Sequence, residues 1–172
     1  MVIIFYFSIK YYSYIIRGDY MEFIVDSINK TIDIGNFIGR HCNSGDILCL
    51  NGDLGAGKTH LSKGIAKGLN IKDNITSPTF NIVNEYDGRL KLYHFDVYRV
   101  NDPDEIEAIG FDEYIFGEGI SIIEWSDYIE DLIPNEHMDI RINKIPEKGE
   151  SYRKITINYY GNRYNYIKEL KI

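Results

Sequence analysis

Two short segments of the chain are almost continuously apolar, and polar residues bound each of them. They cover residues 47–50 (Ile-Leu-Cys-Leu) and 120–123 (Ile-Ser-Ile-Ile). Such segments are typical of strands that are buried on both faces of a parallel sheet. Residues 21–25 predict a further strand, and residues 138–142 and 152–157 predict a closing pair of β-strands.

Apolar residues at helical spacing predict two longer helices. The first follows a cap at Asp26 or Ser27, and the second covers residues 58–69. Gly64 and Gly68 weaken the second helix, and we expect close packing against the sheet to explain them.

The middle of the chain predicts a hairpin followed by a short helix. Asp87-Gly88 joins two strand-like segments, residues 80–86 and 89–96. Asp102-Pro103 then combines a helix cap with a proline at the first helical position, and the helix is expected to stop at Gly110.

Residues 52–59 read Gly-Asp-Leu-Gly-Ala-Gly-Lys-Thr and match the phosphate-binding pattern GxxxxGK[ST]. The match lies between a predicted buried strand and a predicted helix. Glycines let the backbone N–H groups turn inward around phosphate oxygens, and the helix N-terminus adds donors. We expect the lysine to bridge the outer phosphates and the threonine hydroxyl to bind Mg²⁺. The predicted nucleotide-binding residues are Gly52, Asp53, Leu54, Gly55, Ala56, Gly57, Lys58 and Thr59.

These elements predict an α/β fold. Its form is the three-layer P-loop NTPase fold, with a mostly parallel central sheet and antiparallel hairpin additions. The length of 172 residues suits one domain, and no internal repeat or linker interrupts the chain. We therefore predict a single P-loop ATPase domain over residues 21–172.

Two carboxylates end predicted strands close to this loop. Mg²⁺ prefers oxygen ligands, so Glu124, which ends the buried segment 120–123, is assigned to the metal, directly or through water. Asp96 is assigned to the γ-phosphate side, as a base or as a water-positioning group. Together with Lys58, these two are the predicted catalytic residues. Thr79 either senses the γ-phosphate or belongs to a simple turn, and Trp125 is either a core residue or an anchor for a partner.

Four motifs in order resemble the TsaE (YjeE) family. They are the phosphate loop, Ser-Pro-Thr-Phe at 77–80, Tyr-His-Phe-Asp-Val-Tyr-Arg at 93–99 and Ile-Glu-Trp at 123–125. The resemblance covers residues 21 to 157. It implies a bacterial ATPase that supports formation of N6-threonylcarbamoyladenosine (t6A) at position 37 of tRNAs reading ANN codons.

The same resemblance implies partners, cofactors and site residues. The partners are TsaB and TsaD; ATP hydrolysis would reset TsaD rather than transfer the carbamoyl group, and tRNA would be bound only indirectly, through TsaD. The implied cofactors are ATP and Mg²⁺, with Thr59 and Glu124 on the metal and Asp96 as the important aspartate. Contacts to adenine are implied near Ser27, Ile28 and Arg153.

The charge of the chain agrees with indirect tRNA binding. Nineteen basic residues face 26 acidic ones, a net charge of -7, whereas a protein that grips a nucleic-acid backbone normally carries a basic stripe. Cys42 and Cys49 have no metal-site spacing, and we interpret them as buried thiols in a reducing cytoplasm.

The first 20 residues differ from the rest. They are apolar and rich in tyrosine, yet Lys10 interrupts a stretch shorter than the roughly 20 apolar residues of a membrane span. Arg17-Gly18-Asp19 can be encoded by a bacterial ribosome-binding sequence at a suitable distance from Met21. We therefore expect translation to start at Met21, with residues 1–20 a spurious extension; the alternative is a membrane-surface anchor.

Three other functions compete with the ATPase. A small P-loop metabolite kinase is the main alternative, but it needs cationic groups on a lid, and no arginine-rich segment appears among the seven arginines. A regulatory GTPase needs an Asn-Lys-x-Asp element, and Asn143-Lys144-Ile145-Pro146 lacks the aspartate. The third is a non-enzymatic adaptor whose surface is shaped by bound nucleotide.

Overall fold

A computed structural model of the protein describes residues 20–78, 81–100 and 102–171. The strands within these residues form one mixed sheet in the order β1-β7-β6-β2-β5-β4-β3. Strands β6, β2, β5 and β4 are mutually parallel, while β1, β7 and β3 pair antiparallel to their neighbours. The strands are β1 (Tyr20–Val25), β2 (Ile47–Asn51), β3 (Val83–Tyr86), β4 (Leu92–Asp96), β5 (Ile120–Glu124), β6 (Met138–Lys144) and β7 (Arg153–Tyr159).

Helices cover both faces of the sheet, so the predicted three-layer α/β fold is confirmed. The α-helices are α1 (Ile28–His41), α2 (Lys58–Gly68), α3 (Pro103–Glu107) and α4 (Phe111–Ile115). Three 3₁₀ segments cover Ser126–Leu132, Pro146–Lys148 and Asn162–Glu169. One hydrophobic core lies under α1 and α2, and a second lies under α3, α4 and the first 3₁₀ segment. No helix in the described ranges has the length and hydrophobicity that crossing a bilayer requires.

The glycines of α2 serve a different contact from the one that we predicted. A Cβ on Gly64 would lie 2.3 Å from the carbonyl oxygen of Ile32, and one on Gly35 would lie 2.3 Å from that of Leu61. Real Cβ atoms do not approach backbone so closely. Gly64 and Gly68 therefore allow α2 to lie against α1, and the prediction of close packing against the sheet was wrong about the partner.

The hairpin is shorter than its prediction. The register pairs Val83 with Phe95 and Tyr86 with Leu92, so the antiparallel arrangement is confirmed while the strands begin three residues later than predicted. Arg89, predicted to start a strand, instead donates hydrogen bonds to the carbonyls of Gly39 and Cys42 at the end of α1. Carbonyls that end a helix have no partner within it, and a guanidinium satisfies them well.

The helix predicted from Asp102 is also shorter, because its α-helical part ends at Glu107. The two cysteines are free and buried, as predicted, and burial raises the pKa of each thiol to about 12. Residues 1–19 lie outside the described residues, so the start at Met21 stays a prediction.

Candidate nucleotide-binding site

The phosphate loop leaves the carboxyl end of β2 and enters α2. Its three predicted glycines adopt positive φ angles: 140° at Gly52, 71° at Gly55 and 118° at Gly57. Side chains disfavour this region, and a Cβ on Gly52 would also lie 2.2 Å from the carbonyl oxygen of Ile142 on β6. The loop therefore needs glycine both for its own conformation and for its contact with the neighbouring strand.

Several backbone donors of the loop are available to a ligand. The N–H groups of Gly55, Gly57, Lys58 and Thr59 donate to no acceptor among the residues that the structure describes. The N–H group of Ala56 is the exception, because it donates to the carbonyl of Asp53 at 3.0 Å. The N-terminus of the 11-residue α2 adds its positive dipole end to these donors. Such an arrangement suits phosphate oxygens.

Lys58 lies across the mouth of this loop. Its Nζ donates to the carbonyls of Gly52 at 2.6 Å and Asp53 at 3.2 Å, and lies 3.6 Å from the centre of the Trp125 ring. Burial lowers the pKa of the Lys58 amine, and the carboxylates of Glu124 and Asp96 oppose that shift. The ammonium group is thus held close to two negative charges and to carbonyls that a phosphate oxygen can replace.

The two predicted carboxylates lie side by side. Asp96 and Glu124 are register partners at the carboxyl ends of the parallel strands β4 and β5, whose spacing is about 4.8 Å. Both side chains are buried. Asp96 accepts hydrogen bonds from the hydroxyl of Ser77 at 2.5 Å and from the N–H of Tyr98 at 3.1 Å. Asp96 is therefore tied to the loop that leads to Thr79, and Thr79 itself lies outside the described residues.

Glu124 has neighbours that the sequence analysis missed. Its Oε1 lies 2.9 Å from Nε2 of His94 and 3.3 Å from the hydroxyl of Ser62. His94 and Asp96 are two residues apart on β4 and therefore lie on one face of the sheet. That alternation is the signal that could have placed His94 beside Glu124, once β4 and β5 were known to be neighbours.

The residues present fit Mg²⁺ bound together with nucleotide. The hydroxyl of Thr59 is half-buried and makes no hydrogen bond to any other described residue. Within the described ranges, no group of three or more His, Cys, Asp or Glu side chains could hold a metal by itself. A Mg²⁺ ion here would therefore need phosphate oxygens and water beside Thr59 and Glu124, which is how this ion is commonly bound.

Of the three residues implied for the adenine side, Arg153 contacts the phosphate loop. Arg153 donates from Nε to the carbonyl of Ala56 at 2.7 Å. Its register partner is Val25, so the start of α1, with Ser27 as its cap and the exposed Ile28, lies at the same edge. Their contact with adenine stays a prediction.

Trp125 packs, partly buried, against the second hydrophobic core, and its role as an anchor for a partner stays a prediction. Its backbone adopts φ 68°, and its half-buried ring lies under Lys58 and beside Tyr98, 4.7 Å between ring centres. Asp127 forms a two-bond ion pair with Arg141. This pair fixes the start of the following 3₁₀ segment to β6.

The family model "Threonylcarbamoyl adenosine biosynthesis protein TsaE" matches residues 25–155. The chain belongs to the TsaE family. Two relatives named tRNA threonylcarbamoyladenosine biosynthesis protein TsaE illustrate the similarity. The protein from Bacillus subtilis is 45% identical over 141 residues, which are 81% of this chain and 86% of that protein. The protein from Treponema pallidum is 36% identical over 137 residues, 80% of this chain and 99% of that protein.

The fold is also similar to that of a solved structure. The crystal structure of Bacillus subtilis YdiB matches with a TM-score of 0.75 and 37% sequence identity, over 88% of this chain and 93% of that chain. The resemblance drawn from the four motifs is thus confirmed.

Proposed function

We propose that this TsaE-family protein is a Mg²⁺-dependent ATPase required for t6A formation in tRNAs that read ANN codons. The observation that carries the proposal is one cluster at the carboxyl edge of the sheet. There the N–H groups of Gly55, Gly57, Lys58 and Thr59, which donate to no described residue, meet the Lys58 ammonium and the buried pair Asp96 and Glu124. Donors for an anion beside carboxylates for a cation suit the two halves of a magnesium nucleotide.

Each residue of this cluster has a role in the proposed reaction. The amides of the loop bind the phosphates, and Lys58 exchanges its two loop carbonyls for phosphate oxygens. Thr59 and Glu124 would hold Mg²⁺, which would supply positive charge against the charge that develops on the phosphates as ADP leaves. Asp96, held by Ser77 and Tyr98, orients the attacking water or accepts its proton.

We further propose that the protein acts in the cytoplasm with TsaD and TsaB, and does not itself transfer the threonylcarbamoyl group. The printed names of its relatives assign them to tRNA threonylcarbamoyladenosine biosynthesis. The net charge of -7 supports a division of labour in which TsaD holds the tRNA. The two free thiols suit a reducing compartment.

A reconstitution tests this function. Purified TsaB and TsaD are supplied with tRNA, threonine, bicarbonate, ATP and the enzyme that forms threonylcarbamoyl-adenylate, with and without this protein. We expect multiple turnovers of t6A only when it is present, together with release of ADP and phosphate. The matched control is Lys58→Ala, which should behave like omission. Equal turnover in all three samples, or phosphorylation of a small metabolite, would overturn the proposal.

A further inference from the structure

The His94 side chain is buried beside Glu124 and has no role in the function proposed above. Both side chains are almost completely buried, with 0% of His94 and 3% of Glu124 exposed. His94 pairs in register with Ile122, so Glu124 lies diagonally across on the neighbouring strand. Diagonal neighbours on one face of a sheet are within reach of long side chains. The Nε2–Oε1 contact of 2.9 Å is therefore set by the sheet itself.

The surroundings of Nδ1, the other ring nitrogen of His94, indicate which nitrogen donates to Glu124. Nδ1 of His94 is buried and has no hydrogen-bond partner among the described residues. A proton on Nδ1 would be a buried donor without an acceptor, which is costly. Nε2, by contrast, lies 2.9 Å from Oε1 of Glu124, so Nε2 is the nitrogen that donates to the carboxylate.

The two oxygens of Glu124 are consequently not equivalent. Oε1 accepts the bond from His94, whereas Oε2 accepts none from any residue in the described part of the chain. The Ser62 hydroxyl is a weaker hold on Oε1, because its one proton is divided between Oε1 at 3.3 Å and the Lys58 carbonyl at 3.1 Å. His94 is thus the main donor that fixes the carboxylate.

From this geometry we propose that His94 is a positioning residue for Glu124. Its Nε2–H group holds Oε1 and thereby leaves Oε2 for Mg²⁺ or for the water bound to the ion. The inference rests on the function proposed above, because it concerns how this chain orders its own metal ligand. Donors behind a ligating carboxylate commonly change metal affinity or activity by about 10–100-fold.

Two variants at one position test the role of the donor. His94→Leu fills the space without donating, whereas His94→Gln keeps an N–H group at a similar distance. We expect His94→Leu to raise the Mg²⁺ concentration that half-saturates ATP binding by about tenfold or more, and to lower kcat similarly. ATP binding without Mg²⁺ should stay unchanged, and His94→Gln should recover most of both losses. His137→Gln, which replaces a histidine bonded to the Pro134 carbonyl, is the matched control.

A second readout needs neither nucleotide nor activity. In the ¹⁵N-histidine-labelled wild-type protein, the His94 resonances, assigned by their loss in His94→Gln, should show a proton on Nε2. An Nε2 without a proton, or equal Mg²⁺ dependence of the Leu and Gln variants, would overturn the inference. If His94→Leu does not fold, the Gln variant and the spectrum still decide it. Failure of wild-type protein to bind ATP would instead refute the proposed function, and would leave the spectroscopic result standing.

Discussion

Two buried carboxylates lie at opposite ends of the central parallel strands and show two ways of keeping a charge inside a protein. We call these ends the amino edge, where the parallel strands begin, and the carboxyl edge, where they end. Asp46 precedes β2 at the amino edge, and both of its oxygens are bonded: Oδ1 to Arg163 at 2.7 Å and Oδ2 to the N–H of Asn43 at 2.9 Å. Glu124 ends β5 at the carboxyl edge, and only its Oε1 is bonded within the described residues. A fully bonded carboxylate suits a structural role, whereas a half-bonded one keeps an oxygen for a ligand.

The partners of the two carboxylates also fit a structural role for Asp46 and a ligand-binding role for Glu124. Arg163 is a permanent cation, and it comes from the 3₁₀ segment Asn162–Glu169 that closes the amino edge. The main partner of Glu124 is the His94 imidazole, whose Nδ1 has no hydrogen-bond partner among the described residues. We therefore expect changes at the amino edge to alter stability and changes at the carboxyl edge to alter nucleotide chemistry.

Removing the cation of the carboxyl edge should have the largest effect. Lys58→Ala deletes the ammonium group that the proposed reaction needs at the phosphates, so ATP turnover with TsaB and TsaD should fall by about 1,000-fold. Stability should change little, because the lost bonds go to loop carbonyls. Calorimetry with Mg-ATP and urea unfolding measure the two quantities. If Lys58→Ala lost much stability but kept its turnover, the carboxyl edge would serve stability rather than nucleotide chemistry, contrary to our expectation.

Removing the cation of the amino edge should have the opposite result. Arg163→Met leaves the fully buried Asp46 without its charged partner, and we expect a loss of about 3 kcal/mol in the free energy of unfolding. Turnover per folded molecule should stay unchanged. Arg141→Met is the control, since it breaks an exposed ion pair of similar length with Asp127 and should cost less than about 1 kcal/mol. If both variants lost the same free energy of unfolding, the burial of Asp46 would not make its ion pair more important for stability than the exposed pair.

A single hydroxyl at the amino edge should have a smaller effect. The N–H of Ile47, the first residue of β2, donates to the buried hydroxyl of Tyr164 at 3.0 Å. Tyr164→Phe leaves that N–H without an acceptor, which should cost about 1–2 kcal/mol by thermal or urea unfolding. Tyr128→Phe, at an exposed ring, should change nothing. We infer that Tyr164 anchors the 3₁₀ segment Asn162–Glu169 to the start of β2. This would be wrong if both variants unfolded like the wild type.

The pH dependence of stability should give the smallest effect. Burial raises the pKa of Asp46 above its ordinary value of 3.8, although Asn43 and Arg163 oppose the shift. The folded state then binds the proton more tightly than the unfolded state. The contribution of this carboxyl to stability is therefore full below pH 3.8 and is lost as the pH rises through the raised pKa. As the pH rises from 3.8 through the raised pKa, the free energy of unfolding of the wild type should fall relative to that of Asp46→Asn. A rise relative to the variant would contradict the prediction.

Much of the candidate nucleotide site could be predicted from the sequence because it is local. Residues 52–59 are consecutive, so the glycine spacing alone decides which backbone angles and donors are possible. Asp96 and Glu124 could be placed at strand ends from the apolar segments before them. That the two carboxylates lie side by side was not predicted, because only the structure pairs β4 with β5.

The remaining features depend on residues far apart in the chain. The sequence predicted a cap at Asp26 or Ser27, a glycine-rich α2 and a carboxylate at 124, but not what each would face. Only the tertiary structure showed that α2 packs on α1, that His94 holds Glu124 across two strands, and that Arg163 neutralises Asp46 from 117 positions away. The physical reason is that backbone conformation follows from neighbouring residues, whereas burial and pairing of charge follow from which elements the fold brings together.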